Sequence, residues 1–322
     1  MPVFPKPKFA YDFNPADEIQ RLRQHKQARG IPGKEQDRLL LATWNLCNFG
    51  AQERLEKHLK LTAEVLSWFD IAALQEVRDN FADLTKLQLL LGGSWRLLFS
   101  DPAGNNERMA FIYDSSRVTL FEMIGEIGFP VSALKRVKLK GIKQKFEGFD
   151  RSPYIATFGA GRLSFLLANV HLYYGTLSPK AKLKKSMERR ALETYAVALW
   201  AHDRSKSPFA FTRDIIALGD FNMPKSDPTD PIFKALTAKG MHLPEHSSIL
   251  GSNLAGDANY DQIAFFPGET QSDFTGNHGV FDFDKVVFPD LWDNGKGKKK
   301  FTSYVKYYLS DHRPMWMEFK TA

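Results

Sequence analysis

The sequence predicts a layered α/β domain. Short apolar runs of strand length alternate with stretches whose apolar residues recur at helical spacing, aromatic residues are abundant, and several apolar runs stop abruptly at polar residues. Leu39 to Trp44, Ile71 to Gln75, Trp95 to Phe99, Met109 to Tyr113, Leu163 to Val170 and Ile215 to Leu218 read as buried strands, since such continuous runs suit a sheet covered on both faces. Glu53 to Phe69 carries Leu55, Leu59, Leu61, Val65, Leu66 and Phe69, mostly at helical spacing, and reads as an amphipathic helix. A second helix starts at Ser178-Pro179, with Leu183, Met187, Ala191, Leu192, Tyr195 and Leu199 on one face and Lys182, Lys184, Lys185, Arg189 and Arg190 turned away from it. Residues 1–36 read as an N-terminal arm with a short helix: Asn14-Pro15 is a good N-cap and N1 pair, Gly30 can close the helix, and Pro32 and Gly33 break the chain. Residues 37–322 form the domain itself, with no internal repeat and no interdomain linker.

Composition bounds the function. With 26 Phe and 6 Trp in a chain that is 43% hydrophobic, a thick sheet-based core is expected and general disorder is excluded. Cys47 is the single cysteine, so no intrachain disulfide is possible, and its apolar surroundings make it a core residue. Met1 to Ala10 holds no apolar leader segment and no run approaches the ~18 apolar residues of a membrane span. The expectation is a cytoplasmic protein with no stable membrane association. A net charge of +7 favours anionic partners, with ordinary solubility charge as the alternative. Lys135, Arg136, Lys138, Lys140, Lys143 and Lys145 form a basic strip that can track a nucleic-acid backbone or can be plain solvated surface. Lys296 and Lys298 to Lys300, in a basic segment expected to be a flexible loop over Gly295 to Lys300, form a second cluster. Tyr304, Tyr307 and Tyr308 beside it can stack on bases or pack as strand residues.

Five segments end in chemically competent side chains: Thr43-Trp44-Asn45, Leu74-Gln75-Glu76, Ala168-Asn169-Val170-His171, Leu218-Gly219-Asp220-Phe221-Asn222 and Ser310-Asp311-His312-Arg313-Pro314. Taken singly, a strand-end Asp or Asn is usually a turn former or a helix cap. Together they supply the oxygen ligands that a hard cation such as Mg²⁺ prefers, and no Cys pair or His-x-x-x-His favours structural zinc.

As an ordered set, TWNL (43–46), LQEV (74–77), NVHL (169–172), LGDFN (218–222), YDQI (260–263) and SDHRP (310–314) resemble the endonuclease/exonuclease/phosphatase superfamily, whose members include deoxyribonuclease I, apurinic endonucleases, neutral sphingomyelinases and inositol polyphosphate 5-phosphatases. The resemblance spans Leu39 to Phe319. It implies a four-layer α/β sandwich, two central mixed sheets flanked by helices, with the site at one end and residues 37–322 as the catalytic domain. It also implies Glu76 as principal metal ligand with Asn45 and Asp311 completing or supporting the site, and Asp220 orienting or deprotonating the attacking water. Asn222 is implied as an amide donor to phosphate, His312 as the catalytic imidazole with its tautomer fixed by Asp261, and His171 as a second histidine acting at the leaving oxygen. Arg151 resembles an arginine that contacts substrate phosphate, and Glu107-Arg108 a pair in which the Glu supports a histidine and the Arg faces substrate.

These assignments imply a Mg²⁺-dependent phosphodiesterase, with Mn²⁺ able to substitute, acting on DNA or RNA as an endonuclease and contacting the backbone through Lys138, Lys140 and Lys143. A lipid or inositol-phosphate phosphoesterase, and a noncatalytic nucleic-acid-binding protein, are the alternatives. The chain lacks a second cysteine for the disulfide of secreted deoxyribonuclease I and adds the arm and the basic insert at 134–145, so substrate does not transfer with the resemblance.

Overall fold

Alternation along each strand decides how the layers stack. In β1 (Arg38–Phe49), Leu39 and Leu41 enter one core while Leu40, Ala42 and Trp44 enter another on the opposite face. The computed structural model describes residues 3–176, 178–245, 249–292 and 298–322. In it, β1 lies in a six-stranded sheet with β2 (Ile71–Val77), β3 (Trp95–Phe99), β4 (Arg108–Asp114), β10 (Phe274–Val280) and β11 (Met315–Lys320), in the order β10-β11-β1-β2-β4-β3. The second sheet runs β5-β6-β7-β8-β9, formed by β5 (Thr119–Glu126), β6 (Tyr154–Ala160), β7 (Leu163–His171), β8 (Ile215–Asp220) and β9 (Asp261–Phe265). Both sheets are mixed: β1 and β2 are parallel, as are β7 and β8, and the other neighbours are antiparallel.

The sheets face one another across a core that includes Leu41, Phe111, Phe158, Phe165, Leu218, Phe265 and Phe319. The outer face of the first sheet is covered by α1 (Pro15–Ala28), α2 (Glu56–Ser67), α3 (Ala82–Leu91) and α7 (Lys299–Tyr308) through Leu22, Leu59, Leu66, Leu84, Leu87, Phe301 and Tyr304. The second sheet is covered by α5 (Lys180–Ser205) and α6 (Pro231–Thr237) through Ala191, Val197, Ala198, Ala201, Ile232 and Leu236, and α4 (Val131–Leu134) begins the basic insert. The result is the four-layer sandwich that the motifs imply. No helix among the described residues is long and apolar enough to cross a membrane.

The N-terminal helix starts as its cap chemistry dictates: Asn14 accepts a hydrogen bond from the Ala16 N–H at 3.1 Å, Pro15 opens the first turn, and Gly30 follows the helix at φ +66°. The arm is nevertheless part of the outer layer. Leu22 and Ile31 are buried in the first outer core, Phe4, Phe9, Tyr11 and Phe13 pack against it, and Glu18 accepts from the Phe288 N–H at 3.0 Å. The basic insert also docks, with Val137 and Phe146 buried against Leu192, Ala196 and Leu199 of α5. Of the segment expected as a flexible loop, Gly295, Lys296 and Gly297 lie outside the described residues, whereas Lys299 and Lys300 open α7.

Candidate active site

Register brings the motif residues to one end of the sandwich. Asn45 on β1 is level with Gln75 on β2, His171 on β7 with Asp220 on β8, and Asp220 with Asp261 on β9. At this end the backbone departs from regular strand geometry. Bulges interrupt β1 after Asn45 and β2 after Leu74, and Cys47, Asn48, Glu76 and Asn222 take φ between +50° and +60°, a region that non-glycine residues rarely enter. Four such residues in one corner indicate stored strain of the kind that concentrates at functional sites. Gly219 explains its own place in LGDFN: at φ +130°, a Cβ there would lie 2.2 Å from the Val170 carbonyl oxygen of β7.

Two imidazoles face one another across this corner, each backed by a carboxylate. His312 Nδ1 is 2.8 Å from Asp261 Oδ2, and its Nε2 is 3.9 Å from Asp220 Oδ2. Burial opposes charge on His312, but the attraction and hydrogen bond of Asp261, with Asp220 and Asp311 nearby, raise its pKa well above the ordinary value. On the other side His171 Nδ1 is 3.1 Å from Glu107 Oε2, close but off the hydrogen-bonding angle, and its Nε2 is 3.7 Å from Asp220 Oδ2 and 3.8 Å from Glu76 Oε1. Burial works to raise the Glu107 pKa, yet His171 and Arg151 together hold it well below the carboxylate range. Both Nε2 atoms converge on Asp220.

The floor between them is anionic. Glu76, Asp220 and Asp261 are fully buried, and the Asn45 amide bridges two of them, Nδ2 lying 3.1 Å from both Glu76 Oε1 and Asp220 Oδ2. Glu76 Oε2 also accepts from the Asn48 N–H at 2.9 Å. Asp311 stands 3.7 Å from Lys306, and its buried Oδ1 is hydrogen-bonded by no described residue. Burial, then the charges of Asp311 and Glu76, push the Cys47 thiol well up, so Cys47 is a protonated core residue between two carboxylates. Carboxylates collected in this way with neutral amides call for a cation, and an oxygen donor set suits a hard one.

Asp220, Asp261 and His312 have ligand atoms within 4.8 Å of one another, but His312 and Asp261 are already committed to each other. Glu76 and Asp311 keep lone pairs that the hydrogen bonds from Asn45 and Asn48 do not use. Of the two implied roles, completing or supporting the site, the geometry of Asn45 suits the second: its oxygen accepts from the Cys47 N–H at 2.9 Å and its nitrogen faces the carboxylates of Glu76 and Asp220. A direct ligand role would require the amide to turn over and give up that bond.

Asn222 follows β8. Its backbone N–H donates to Asp220 Oδ1 at 2.8 Å and its side-chain amide donates to the Leu172 carbonyl at 2.7 Å, leaving one amide hydrogen for a ligand. Arg151 is 3% exposed and is spent internally: it donates to the carbonyls of His171 at 2.8 Å and Leu172 at 3.1 Å and pairs with Asp150 and Glu107. It positions His171 and is not a free phosphate ligand. Arg108 turns away, donating to Asp79 at 3.0 Å and to the Ser100 carbonyl at 2.8 Å and lying over the rings of Phe81 and Phe99. Lys138, Lys140 and Lys143 do not reach the site either, because Val137 and Phe146 anchor their loop to the outside of α5. Tyr304, Tyr307 and Tyr308 are buried on a helix, closed to bases.

Other residues build the site without having been assigned a role from the sequence. Arg190 is 1% exposed, although helical spacing puts it on the outer basic face. It donates to the carbonyls of Tyr173 at 3.1 Å, Asn222 at 2.7 Å and Tyr174. Glu193, one position from the apolar stripe, accepts from the N–H groups of Tyr173 at 3.0 Å and Asp150 at 3.1 Å. Arg54 donates to the carbonyls of Leu46, of Cys47 at 2.8 Å and of Leu309 at 2.8 Å, joining the end of β1 to the SDHRP segment. Gln75 and Asn169 join the two sheets through a 2.7 Å hydrogen bond. The only sequence signal for these was a charged or polar residue beside an apolar stripe or at a strand end.

The cleft over the cluster has two lobes that meet at Tyr174 and Asn222. One, of about 370 Å³, is lined by His312, Asp311, Tyr260, Asn253 and Lys306. The other, of about 890 Å³, is lined by His171, Arg151, Arg78, Asn105, Tyr173 and Thr176.

Fold and site together define a sandwich protein with a buried carboxylate–imidazole centre at one end. No family model and no curated protein matches the sequence. Solved structures do match. An endonuclease/exonuclease/phosphatase family protein from Bacteroides thetaiotaomicron is 16% identical over 89% of this chain and 98% of its own, at a TM-score of 0.55. A mannosyl-6-phosphatase from the same species is 15% identical over 87% and 99%, at 0.55. D. rerio TDP2 complexed with a single-strand DNA product is 13% identical over 88% and 99%, at 0.54. The chain has the deoxyribonuclease I-like fold of the endonuclease/exonuclease/phosphatase superfamily.

Proposed function

We propose that the protein is a divalent-metal-dependent phosphodiesterase, and within that class an endonuclease acting on DNA or RNA. The observation that carries this reading is the convergence of two carboxylate-backed imidazoles on Asp220, at the meeting point of two open lobes. A cleft that continues on both sides of the reacting centre suits a phosphate esterified on both sides, which favours a diester over a monoester. The likeness to a mannosyl-6-phosphatase and to TDP2 complexed with a DNA product supports phosphate-ester chemistry without selecting the ester.

Glu76 and Asp311 would hold Mg²⁺, with Asp220 and the Asn45 amide beside them. When bound, the ion neutralises phosphate charge and polarises the bond to be broken. Asp220 orients the attacking water and takes its proton as the water oxygen bonds to phosphorus. His312, its pKa raised, acts as a cationic partner for a non-bridging oxygen rather than as the base. Asn222 offers its remaining amide hydrogen to the same phosphate. His171, oriented by Glu107 and by Arg151 on its carbonyl, gives a proton to the leaving oxygen as the phosphorus–oxygen bond breaks.

Cleavage of supercoiled plasmid and of single-stranded DNA and RNA, with Mg²⁺, Mn²⁺ or EDTA, tests the proposal. Metal-dependent cleavage by wild type, lost in Glu76→Ala and in His312→Ala with the fold intact, is the expected result. Wild-type rates in both variants would place the chemistry elsewhere. No cleavage of any nucleic acid, with turnover of a sphingomyelin or an inositol phosphate, would return the site to the lipid or inositol-phosphate reading.

A further inference from the structure

The cleft has a third compartment. Thr302 and Lys306 of α7 line the His312 lobe and also one wall of a groove of about 470 Å³ between α7 and the N-terminal arm, whose other lining residues are Phe4, Pro5, Lys298, Lys299 and Ser303. Three lysines line this space and, among the described residues, no carboxylate does; Lys306 shares its charge with Asp311 at 3.7 Å, and the Lys298 ammonium lies over the Trp292 ring at 4.6 Å. Beside the hydroxyl-bearing Thr302 and Ser303, the lining is apolar: Phe4, half-exposed under Lys306 at 5.1 Å from its ring centroid, the exposed Pro5 ring, and the lysine stems.

We infer that this groove is a subsite for the substrate strand beyond the scissile phosphate, and that its occupant is single-stranded nucleic acid. The inference rests on the phosphodiesterase reading of the adjoining centre. Lysines along an apolar trough with an aromatic ring match what single strands need, point charges for successive phosphates and a flat surface for a base. The volume falls in the range that holds one small-molecule-sized group. It admits a nucleotide. Tyr174 and Asn222 line both catalytic lobes, Thr302 and Lys306 line both the His312 lobe and the groove, and Phe4 and Pro5 of the arm add to the α7 wall of the groove.

The test compares wild type, the double variant Lys298→Glu/Lys299→Glu and Phe4→Ala on three substrates: bis(4-nitrophenyl) phosphate, a dinucleotide, and single-stranded oligodeoxynucleotides of increasing length, each with its duplex as control. Turnover of the small diester reads the catalytic centre alone and should be equal in all three proteins. For wild type, KM should fall as the single strand lengthens. The double variant should raise KM for long strands about tenfold or more and flatten its salt dependence by about two, leaving the dinucleotide unchanged. The thermal midpoint separates binding from structure, because glutamates in the first turn of α7 suit its dipole and should hold or raise the midpoint. Equal KM for all lengths in all proteins would overturn the subsite, as would a weakened long strand accompanied by a lowered midpoint. If wild type turns over none of these substrates, the phosphodiesterase reading fails. The groove is then judged by fluorescence anisotropy of the same labelled strand, where equal affinity in wild type and the double variant overturns it. Loss of binding to phosphatidylglycerol vesicles in the variants, with strand binding unchanged, would assign the groove to lipid and overturn it as well.

Discussion

Asp261 is fully buried and touches no part of the cleft, so its effect on chemistry passes through His312. Asp261→Asn keeps the shape and removes the charge that favours the imidazolium. Activity should fall by about 10²–10⁴-fold, mostly in kcat, and the pH profile should move to lower pH as His312 loses its proton earlier. An unchanged profile would mean that Asp261 only fills space. Glu107→Gln makes the matching case for His171, with a smaller expected loss, about 10–100-fold, because Arg151 still fixes the histidine from behind. At this scale the sequence was informative about residue type and poor about direction. Asn45, Glu76, His171, Asp220, Asn222, Asp261 and His312 are strand-end or loop residues with little freedom once the strands are in register, and they do meet. Arg108 and Arg151 have long side chains whose destination depends on acceptors elsewhere in the chain, the Ser100 carbonyl for one and the His171 carbonyl for the other.

Among elements, α5 shows why a helical wheel is an incomplete guide. Its stripe of Met187, Ala191, Leu192 and Leu199 is where periodicity puts it, yet Arg190 and Glu193 at the edges of that stripe turn inward and hold the loop after β7 from both its carbonyl and its N–H side. Removing Arg190 leaves the carbonyls of Tyr173, Tyr174 and Asn222 without that donor, and each hydrogen bond to a charged group contributes about 1.5–3 kcal/mol. Arg190→Ala should therefore destabilise the protein by about 3 kcal/mol or more in urea unfolding, and the folded fraction should cleave slowly because Asn222 is no longer held. Arg190→Lys should not rescue it, since one ammonium cannot reproduce the fork. A variant with wild-type stability and rate would show that water replaces the guanidinium without cost. The strands that the sequence left unassigned have a related explanation. β9 is short, its apolar run limited to a few residues after Gln262, and β10 reads Phe-Thr-Gly-Asn-His-Gly-Val at a half-buried sheet edge, with neither a continuous apolar run nor a clean alternation.

At the scale of the whole molecule the N-terminal arm and α7 meet over α2, and His58 records that joint. It lies on α2, fully buried, with Nε2 2.8 Å from the Tyr304 hydroxyl, its ring stacked at 4.2 Å on Tyr308 and tilted against Phe13 of the arm at 5.3 Å. Burial foremost, then Lys57 and Arg54, lowers its pKa to about 3. The unfolded chain protonates this histidine near pH 6.5 and the folded chain does not, so the unfolded state binds the extra proton and gains on the folded state as pH falls. Stability is complete above pH 6.5 and declines from there down to about pH 3, by about 1.4 kcal/mol per pH unit and about 2 kcal/mol in total by pH 5. Asp282, held down to about 2 against its own burial by His25 on α1 and Arg29 just after it, adds a loss that begins only as pH falls through the ordinary carboxylate value, near pH 4. The two are separable: His58→Gln should flatten the urea midpoint between pH 7 and pH 5 whatever it costs at pH 7.5, while Asp282→Asn should leave that window alone. The same window should release the arm first, since Phe13 and Tyr304 flank the proton's destination, and limited proteolysis near Tyr11 at pH 5 would report it. An unfolding midpoint in the His58→Gln protein that drops from pH 7 to pH 5 as steeply as in wild type would show that the acid sensitivity of this sandwich is spread over its surface charge and not lodged where arm and α7 meet.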